Sequence, residues 1–165
     1  MDREEEFRDL FAEQYALVVQ AVFFILQDQG QAEEIAQDAF MQLLRHWGKV
    51  RDYEQPAAWV RRVALRLAVK SAQRERRINQ ALSRTRPEPS VDVSTQVAQH
   101  SAVFAAIGRL TPKERAVVVL FYFEDRPTAE IAQLLDCSEN AAAIRLHRAR
   151  QRMAELMQEV NVDVG

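Results

Sequence analysis

Two stretches of the chain concentrate side chains suited to holding a polyanion. Residues 61–77 contain Arg61, Arg62, Arg66, Lys70, Arg74, Arg76 and Arg77 against Glu75 alone. Between Asn140 and Arg152 stand four arginines and no acid; at helical spacing Asn140, Ala143, Ile144, His147, Arg148 and Gln151 share one face, with Arg145 and Arg152 at its flank. Guanidinium groups pair with phosphates, and short polar or apolar groups meet base edges, so a helix of this composition suits the major groove of a duplex. A cation run alone is more often a solvated face, and residues 61–77 gain weight as a nucleic-acid contact only beside the second stretch. Bond-breaking chemistry has no matching residues. Cys137 is single, His46, His100 and His147 lie far apart, and Gly30, Gly48, Gly108 and Gly165 assemble no phosphate loop. No enzyme activity, metal or cofactor is expected.

The elements that must carry these residues are helical. Low glycine, abundant Ala, Leu, Gln, Glu and Arg, and little alternation predict an all-α protein, with Pro56, Pro87, Pro89, Pro112 and Pro127 at its joints. A first helix is expected over about residues 4–26 on the stripe Phe7, Leu10, Phe11, Val18, Val22 and Ile25. Residues 27–31, with Gly30, read as a turn. A second helix is expected to bury Ile35, Ala36, Ala39, Phe40, Leu43, Leu44 and Trp47, to turn Glu33, Glu34, Gln37, Asp38 and Arg45 outward, and to stop at Gly48. After a connection over residues 51–56, a third helix from Ala57 is expected to bury Trp59, Val63 and Leu67. At about 100° per residue Lys70 and Arg77 share the azimuth of Trp59. A straight helix would then turn two cations toward the core, so a break near residues 65–69, or a second half projecting past the core, is expected.

Residues 84–96, with Pro87, Pro89, Ser90, Ser94 and Thr95, read as an extended linker. Helical patterning resumes near Val97, with Val103, Phe104 and Ile107 before Gly108. Thr111, Pro112 and Glu114 then form a capping box with proline in the first helical position, opening a helix that carries Val117, Val118, Leu120, Phe121 and Tyr122. Residues 128–135 form a short helix presenting Ile131, Leu134 and Leu135; Asp136-Cys137 turns the chain, and Ser138 caps a helix whose Ala142, Leu146, Ala149 and Met153 line one face. Two short helices around so tight a turn make a helix-turn-helix, with Ala132 small where they cross.

Across 165 residues and 19.0 kDa, 22 Lys+Arg nearly balance 24 Asp+Glu, giving a net charge of −2. A nucleic-acid role therefore rests on local segregation, and segregation is present: residues 1–38 hold ten acids against Arg3 and Arg8. The start is acidic, unlike a signal peptide, and no uninterrupted apolar run reaches ~18 residues, the longest being residues 16–26 broken by Gln20. A cytoplasmic protein without membrane insertion is expected.

The segment LTPKERAVVVLFYFEDRPTAEIAQLLDCSENAAAIRLHRARQRM, residues 110–153, resembles the fourth-region domain of sigma-70 family factors. QAEEIAQDAFMQLLRHW (residues 31–47) with AAWVRRVALRLAV (residues 57–69) resembles their second-region domain. Both stand in one short chain in family order, an architecture similar to that of the extracytoplasmic-function group. The resemblance implies that Glu34, Gln37, Asp38 and Arg45 lie on the helix that binds RNA polymerase core. It implies that Trp59, Arg62, Arg66, Lys70, Arg74, Arg76 and Arg77 contact the minus-ten element and its melted non-template strand, where cations track the backbone and a pocket takes an unstacked base. Ser138, Asn140, Ala143, Ile144, Arg145, His147 and Arg148 would contact the minus-thirty-five element as duplex. The family commonly carries a dedicated anti-sigma protein, which the resemblance implies as a further partner.

The expected organisation is thus two small helical domains, residues 1–80 and 97–160, joined by a linker over residues 81–96. Several positions depart from the family pattern. Arg66 stands where many relatives carry Asn, which changes the hydrogen bonds on offer at the minus-ten element. Ala141, Ala143 and Ile144 replace polar groups of the recognition helix, leaving methyl contacts to thymine and thinning hydrogen-bonded readout. Asp136 replaces a common glycine in the turn. Bland readings stand beside these: Trp47 reads as core, Trp59 is open between core and base contact, His147 is equally a merely exposed histidine, and Cys137 a small semi-buried residue. A helix-turn-helix regulator that binds duplex operators without a polymerase is the alternative, though it has no use for an acidic first domain followed by a basic helix. A helical adaptor would not need the cationic recognition helix.

Overall fold

The computed structural model describes residues 2–82 and 101–163. The linker expected over residues 84–96 and the helical onset near Val97 lie outside the described residues. Every element among them is helical: α1 Arg3–Leu26, α2 Gln29–Val50, α3 Pro56–Leu82, α4 Ser101–Gly108, α5 Pro112–Val118 with a π-helical turn Val119–Phe123, α6 Thr128–Leu134 and α7 Glu139–Asp163. They fall into two compact units divided after Ser71, within α3.

In the first unit α1 and α2 form an antiparallel pair, as the order of their contacts shows. Trp47 meets Phe7 edge-on at 5.5 Å and donates its Nε1–H to the Arg3 carbonyl at 2.9 Å. Phe40 meets Phe11 at 4.9 Å, and Gln37 reaches the Tyr15 hydroxyl at 3.5 Å. Arg51 closes the open end by a forked pair to Glu6, Nε and Nη2 donating to the two carboxylate oxygens at 3.0 and 2.9 Å. The apolar stripe of α1 deepens along the helix: Phe7 and Leu10 are half-buried and Phe11 exposed, while Val18, Val22 and Ile25 are sealed in the core. By length and composition α1 alone of the described helices is apolar enough to cross a membrane. The run of residues 16–26 is only eleven residues long even across Gln20, and α1 passes on its mean hydropathy rather than on an uninterrupted run. Here its apolar residues serve the unit's interior.

Four sequence expectations are corrected in this unit. The α1–α2 turn is made by Gln27, left-handed at φ 59°, and by Asp28, whose Oδ1 accepts from the Gln31 N–H at 2.9 Å; Gly30 already sits in the first turn of α2. Gln27 takes the left-handed conformation usual for glycine, and the Asp28 side chain caps α2. Gly48 does not end α2, which runs on to Val50 because Val50 is itself buried. Leu44 is 52% exposed rather than buried. Its azimuth lies about 100° from Leu43, which takes the core position.

The fourth concerns α3. Of the two alternatives expected, there is no break at residues 65–69, and the helix continues past Ala72 to Leu82 with none of those later residues buried. Its buried residues are Val60, Ala64, Leu65, Ala68, Val69 and Ala72, whereas Trp59, Val63 and Leu67 are half-buried. The shared azimuth of Trp59, Lys70 and Arg77 holds, but that direction points away from the core. With the buried face shifted from the one assumed, the conflict that called for a break disappears.

In the second unit α4, α5 and α6 pack on α7 around Phe104, Ile107, Val117, Leu120, Ile131, Leu134, Ala142, Leu146 and Ala149. Val103, expected with Phe104 and Ile107, is 39% exposed. Thr111 caps α5, its Oγ1 accepting from the Glu114 N–H at 3.2 Å, but Oε2 of Glu114 is buried without a partner, so it makes no return bond. No polar or charged residue is buried among the described residues, so burial of apolar faces sets every helix's rotation. The assignment of Leu43 inward and Leu44 outward is checked by urea unfolding followed through Trp47 and Trp59, both in the first unit with them. Leu43→Ala is expected to cost about 2–5 kcal/mol and Leu44→Ala no more than about 0.5 kcal/mol.

Candidate nucleic-acid interface

The outward side of α3 is built by its core side. Taking Val60 as zero, Arg62, Arg66, Trp59, Arg77, Lys70 and Arg74 fall within an arc of about 120° centred opposite the buried residues. All five cations of that arc are exposed. Arg76 is exposed as well but lies about 40° outside it. Arg61, on the inner side, is occupied otherwise: its Nε donates to Gln14 Oε1 at 3.0 Å. Trp59 packs its indole on the His46 ring, centroids 5.6 Å apart, and His46 is oriented through Nδ1 at 2.8 Å from the Gln42 carbonyl. The half-buried indole thus sits braced at the head of the cationic arc, a placement suited to a base stacked beside a tracked backbone.

Glu34, Gln37, Asp38 and Arg45 are all exposed and lie within an arc of about 100° on α2. Sequence reasoning missed two members of that face. Met41 and Leu44 are each 52% exposed; Met41 lies within this arc and Leu44 at its edge, beside Gln37. An apolar pair bordered by charge is the usual make-up of a protein-binding patch. The legible signal was the helical wheel itself: Met41 falls between Gln37 and Arg45 on a 3.6-residue plot.

In the helix-turn-helix, Asp136 takes the left-handed conformation at φ 54° and the Cys137 N–H reaches back to the Ala132 carbonyl at 3.0 Å. Ser138 caps α7, its Oγ accepting from the Ala141 N–H at 3.0 Å. Burial of Ala142, Leu146 and Ala149 then turns Asn140, Ala143, Ile144, His147 and Arg148 into solvent. Arg145 does not join them. It is half-buried, with Nη1 enclosed and without a hydrogen-bond partner. Arg150, which sequence reasoning did not single out, is engaged within the unit: its guanidinium carbon lies 4.7 Å from the Phe121 centroid and 5.6 Å from that of Tyr122, and Nε donates to the Tyr122 hydroxyl at 2.8 Å. The π-helical turn of residues 119–123 presents both rings to it. Arg115 is likewise turned inward, donating from Nε to the Leu110 carbonyl at 3.1 Å, and burial pushes its guanidinium below the ordinary value. Asn140, His147, Arg148 and Gln151 therefore remain as outward polar groups on this face, beside Ala143 and Ile144.

Comparison with known proteins agrees with this architecture. Residues 10–78 match the family Sigma-70 region 2 and residues 100–153 match Sigma-70, region 4, together about three-quarters of the chain. The RNA polymerase sigma-E factor of Streptomyces avermitilis is 29% identical over 84% of this chain and 78% of its own length. The ECF RNA polymerase sigma factors SigL of Mycobacterium tuberculosis and SigX of Bacillus subtilis are 27% and 24% identical, covering 94% and 97% of this chain and 90% of their own in both cases. Among solved structures, the sigma factor RpoE of Bartonella quintana, crystallised with the anti-sigma factor NepR, shares the fold at a TM-score of 0.65 and 18% identity, over 93% of this chain and 98% of that one. With both regions matched in order, and with their helices and outward faces in place, the chain belongs to the sigma-70 family of RNA polymerase sigma factors, in its extracytoplasmic-function group.

Proposed function

We propose that this protein binds bacterial RNA polymerase core through α2, opens the minus-ten element along the outward arc of α3, and reads the minus-thirty-five element through α7. The observation that carries the reading is the pairing, in one chain, of two units that each bury one apolar face and leave a charged helix face outward. Residues 1–80 act as the region 2 domain, residues 81–96 as the linker and residues 97–160 as the region 4 domain. In the first domain Glu34, Gln37, Asp38 and Arg45 with Met41 and Leu44 meet the polymerase. Trp59, Arg62, Arg66, Lys70, Arg74 and Arg77 take the melted strand, with Arg76 beside them. In the second, Ser138, Asn140, Ala143, Ile144, His147 and Arg148 face the duplex, and Arg145 acts from its half-buried position behind them. The chain supplies binding and positioning; the chemistry of RNA synthesis belongs to the polymerase, and the protein works in the cytoplasm beside it. An anti-sigma factor is a further partner, by analogy with the co-crystallised relative from Bartonella quintana.

Run-off transcription with purified core polymerase and genomic fragments tests the whole reading. Initiation from discrete sites that requires the added protein supports it; tight binding of duplex by the protein alone, with no binding to core, overturns it in favour of an operator-binding regulator. Two pairs of variants separate the faces. Met41→Asp with Leu44→Asp is expected to weaken core binding about tenfold or more in a pull-down or fluorescence titration. Lys70→Glu with Arg77→Glu is expected to leave core binding within about twofold while reducing promoter opening, followed by permanganate reactivity, about tenfold or more. The opposite roles of two arginines in α7 appear in the salt dependence of promoter binding by the holoenzyme. Arg148→Gln is expected to lower the slope of log K against log salt by about one, as loss of a phosphate contact does, and Arg150→Gln to leave that slope unchanged.

A further inference from the structure

Resting on the reading that α7 faces duplex promoter DNA, we propose that Ile144, seconded by Ala143, is a specificity-determining contact of this helix and reads thymine 5-methyl groups in the major groove. Arginine reads guanine by a forked pair to O6 and N7, and four arginines lie between Asn140 and Arg152. Arg150 is committed to Tyr122 and Phe121. Arg145 is drawn inward, with Nη1 enclosed. Arg152 stands about 120° from Asn140 around the helix, off the face that Ile144 shares. Arg148 is thus the arginine positioned at that face's edge. With no acid in the segment, carboxylate readout of cytosine is absent as well.

Asn140 and Gln151, exposed at the middle of the face, can read adenine, and Ile144 and Ala143 on either side of them are its apolar members. Ile144 is 43% exposed, within about 40° of Asn140 and about 60° of His147, and Ala143 beside His147 is exposed too. A single exposed isoleucine is ordinary on a protein surface, but this one has a fixed direction and cationic neighbours. Burial of Ala142, Leu146 and Ala149 sets the rotation of α7, and the Arg150–Tyr122 clamp ties its flank to the turn of residues 119–123. A β-branched side chain in a helix has essentially one χ1 rotamer, so little freedom is lost when it is covered. Arg148 on phosphate would hold the helix in the groove, where the thymine methyl is the one apolar group a base pair displays. Charge draws the helix to DNA, and the methyl contact helps select the sequence.

The test replaces thymine by uracil, which deletes the methyl and leaves the hydrogen-bonding edge intact. Holoenzyme made with the full chain is titrated against a promoter found by run-off, with each thymine of the minus-thirty-five element changed singly and with matching changes placed outside the element as controls. Uracil at one or two positions is expected to weaken binding about three- to fivefold, in line with one buried methyl group. Ile144→Val is expected to keep that sensitivity and Ile144→Ala to abolish it. Ile144 lies outside the core, so both variants are expected to bind core polymerase as the parent chain does. If no uracil substitution matters while scrambling the element abolishes binding, the methyl inference is overturned and the reading of α7 stands. If scrambling the element itself changes nothing, the reading of α7 falls with it. Uracil sensitivity that persists in Ile144→Ala overturns the assignment to this residue.

Discussion

The rotation of each helix about its own axis is set by which apolar stripe it buries, and the charged faces of this protein depend on that constraint. In α3 the stripe is Val60, Ala64, Leu65, Ala68, Val69 and Ala72. Burying about 25 cal/mol per Å² of apolar surface on one side leaves the opposite side outward with no further instruction. Trp59, Lys70 and Arg77 share an azimuth whatever the stripe, but its choice decides whether they face protein or solvent. A shift of one residue rotates the face by about 100°, enough to exchange a core position for a surface one. That is the difference between Leu43, fully buried, and Leu44, half in water.

The same constraint acts through smaller side chains in the second unit. Ala132, Ala142 and Ala149 are buried at positions where larger groups would hold the helices apart. Close approach brings α7 near the turn of residues 119–123, where Phe121 and Tyr122 take up Arg150. An exposed cation–π contact is worth about 0.5–1 kcal/mol, small beside the core. Its consequence is directional. It removes one arginine from the outward set and steadies the flank of the helix that carries the rest. Asp136 accepts a left-handed conformation so that Ser138 can cap α7, and the capped turn sets where the helix begins.

Charge follows the same geometry. A net of −2 over the chain conceals an acid-rich first helix and a cationic third helix. Because no charged residue among those described is buried, both signs are displayed rather than consumed internally, apart from local pairs such as Arg51 with Glu6. An acidic face with an exposed apolar pair suits a protein partner, and a cationic face flanked by an indole suits a nucleic acid strand.

Much of this was legible from sequence. Thr111-Pro112 and Ser138 marked helix starts by local chemistry, and the spacing of Ala142, Leu146 and Ala149 marked the inner face of α7. These signals survive folding because capping bonds and helical periodicity involve residues a few positions apart. The family resemblance rested on the same local patterns. The sequence did not determine the inner face of α3, because Trp59, Val63 and Leu67 form a plausible stripe beside the one actually used; the choice depends on what α1 and α2 present to it. Nor did it mark Gln27 as the left-handed residue beside an available Gly30, or Leu44 as surface. The division of labour among the arginines of α7 lay beyond it as well, since Arg150 is withdrawn from the outward face by rings 28 and 29 residues away in the chain. Local bonding selects where helices begin and which patterns they carry, whereas their rotation, and with it the side chains left facing a partner, follows from packing between residues distant in sequence.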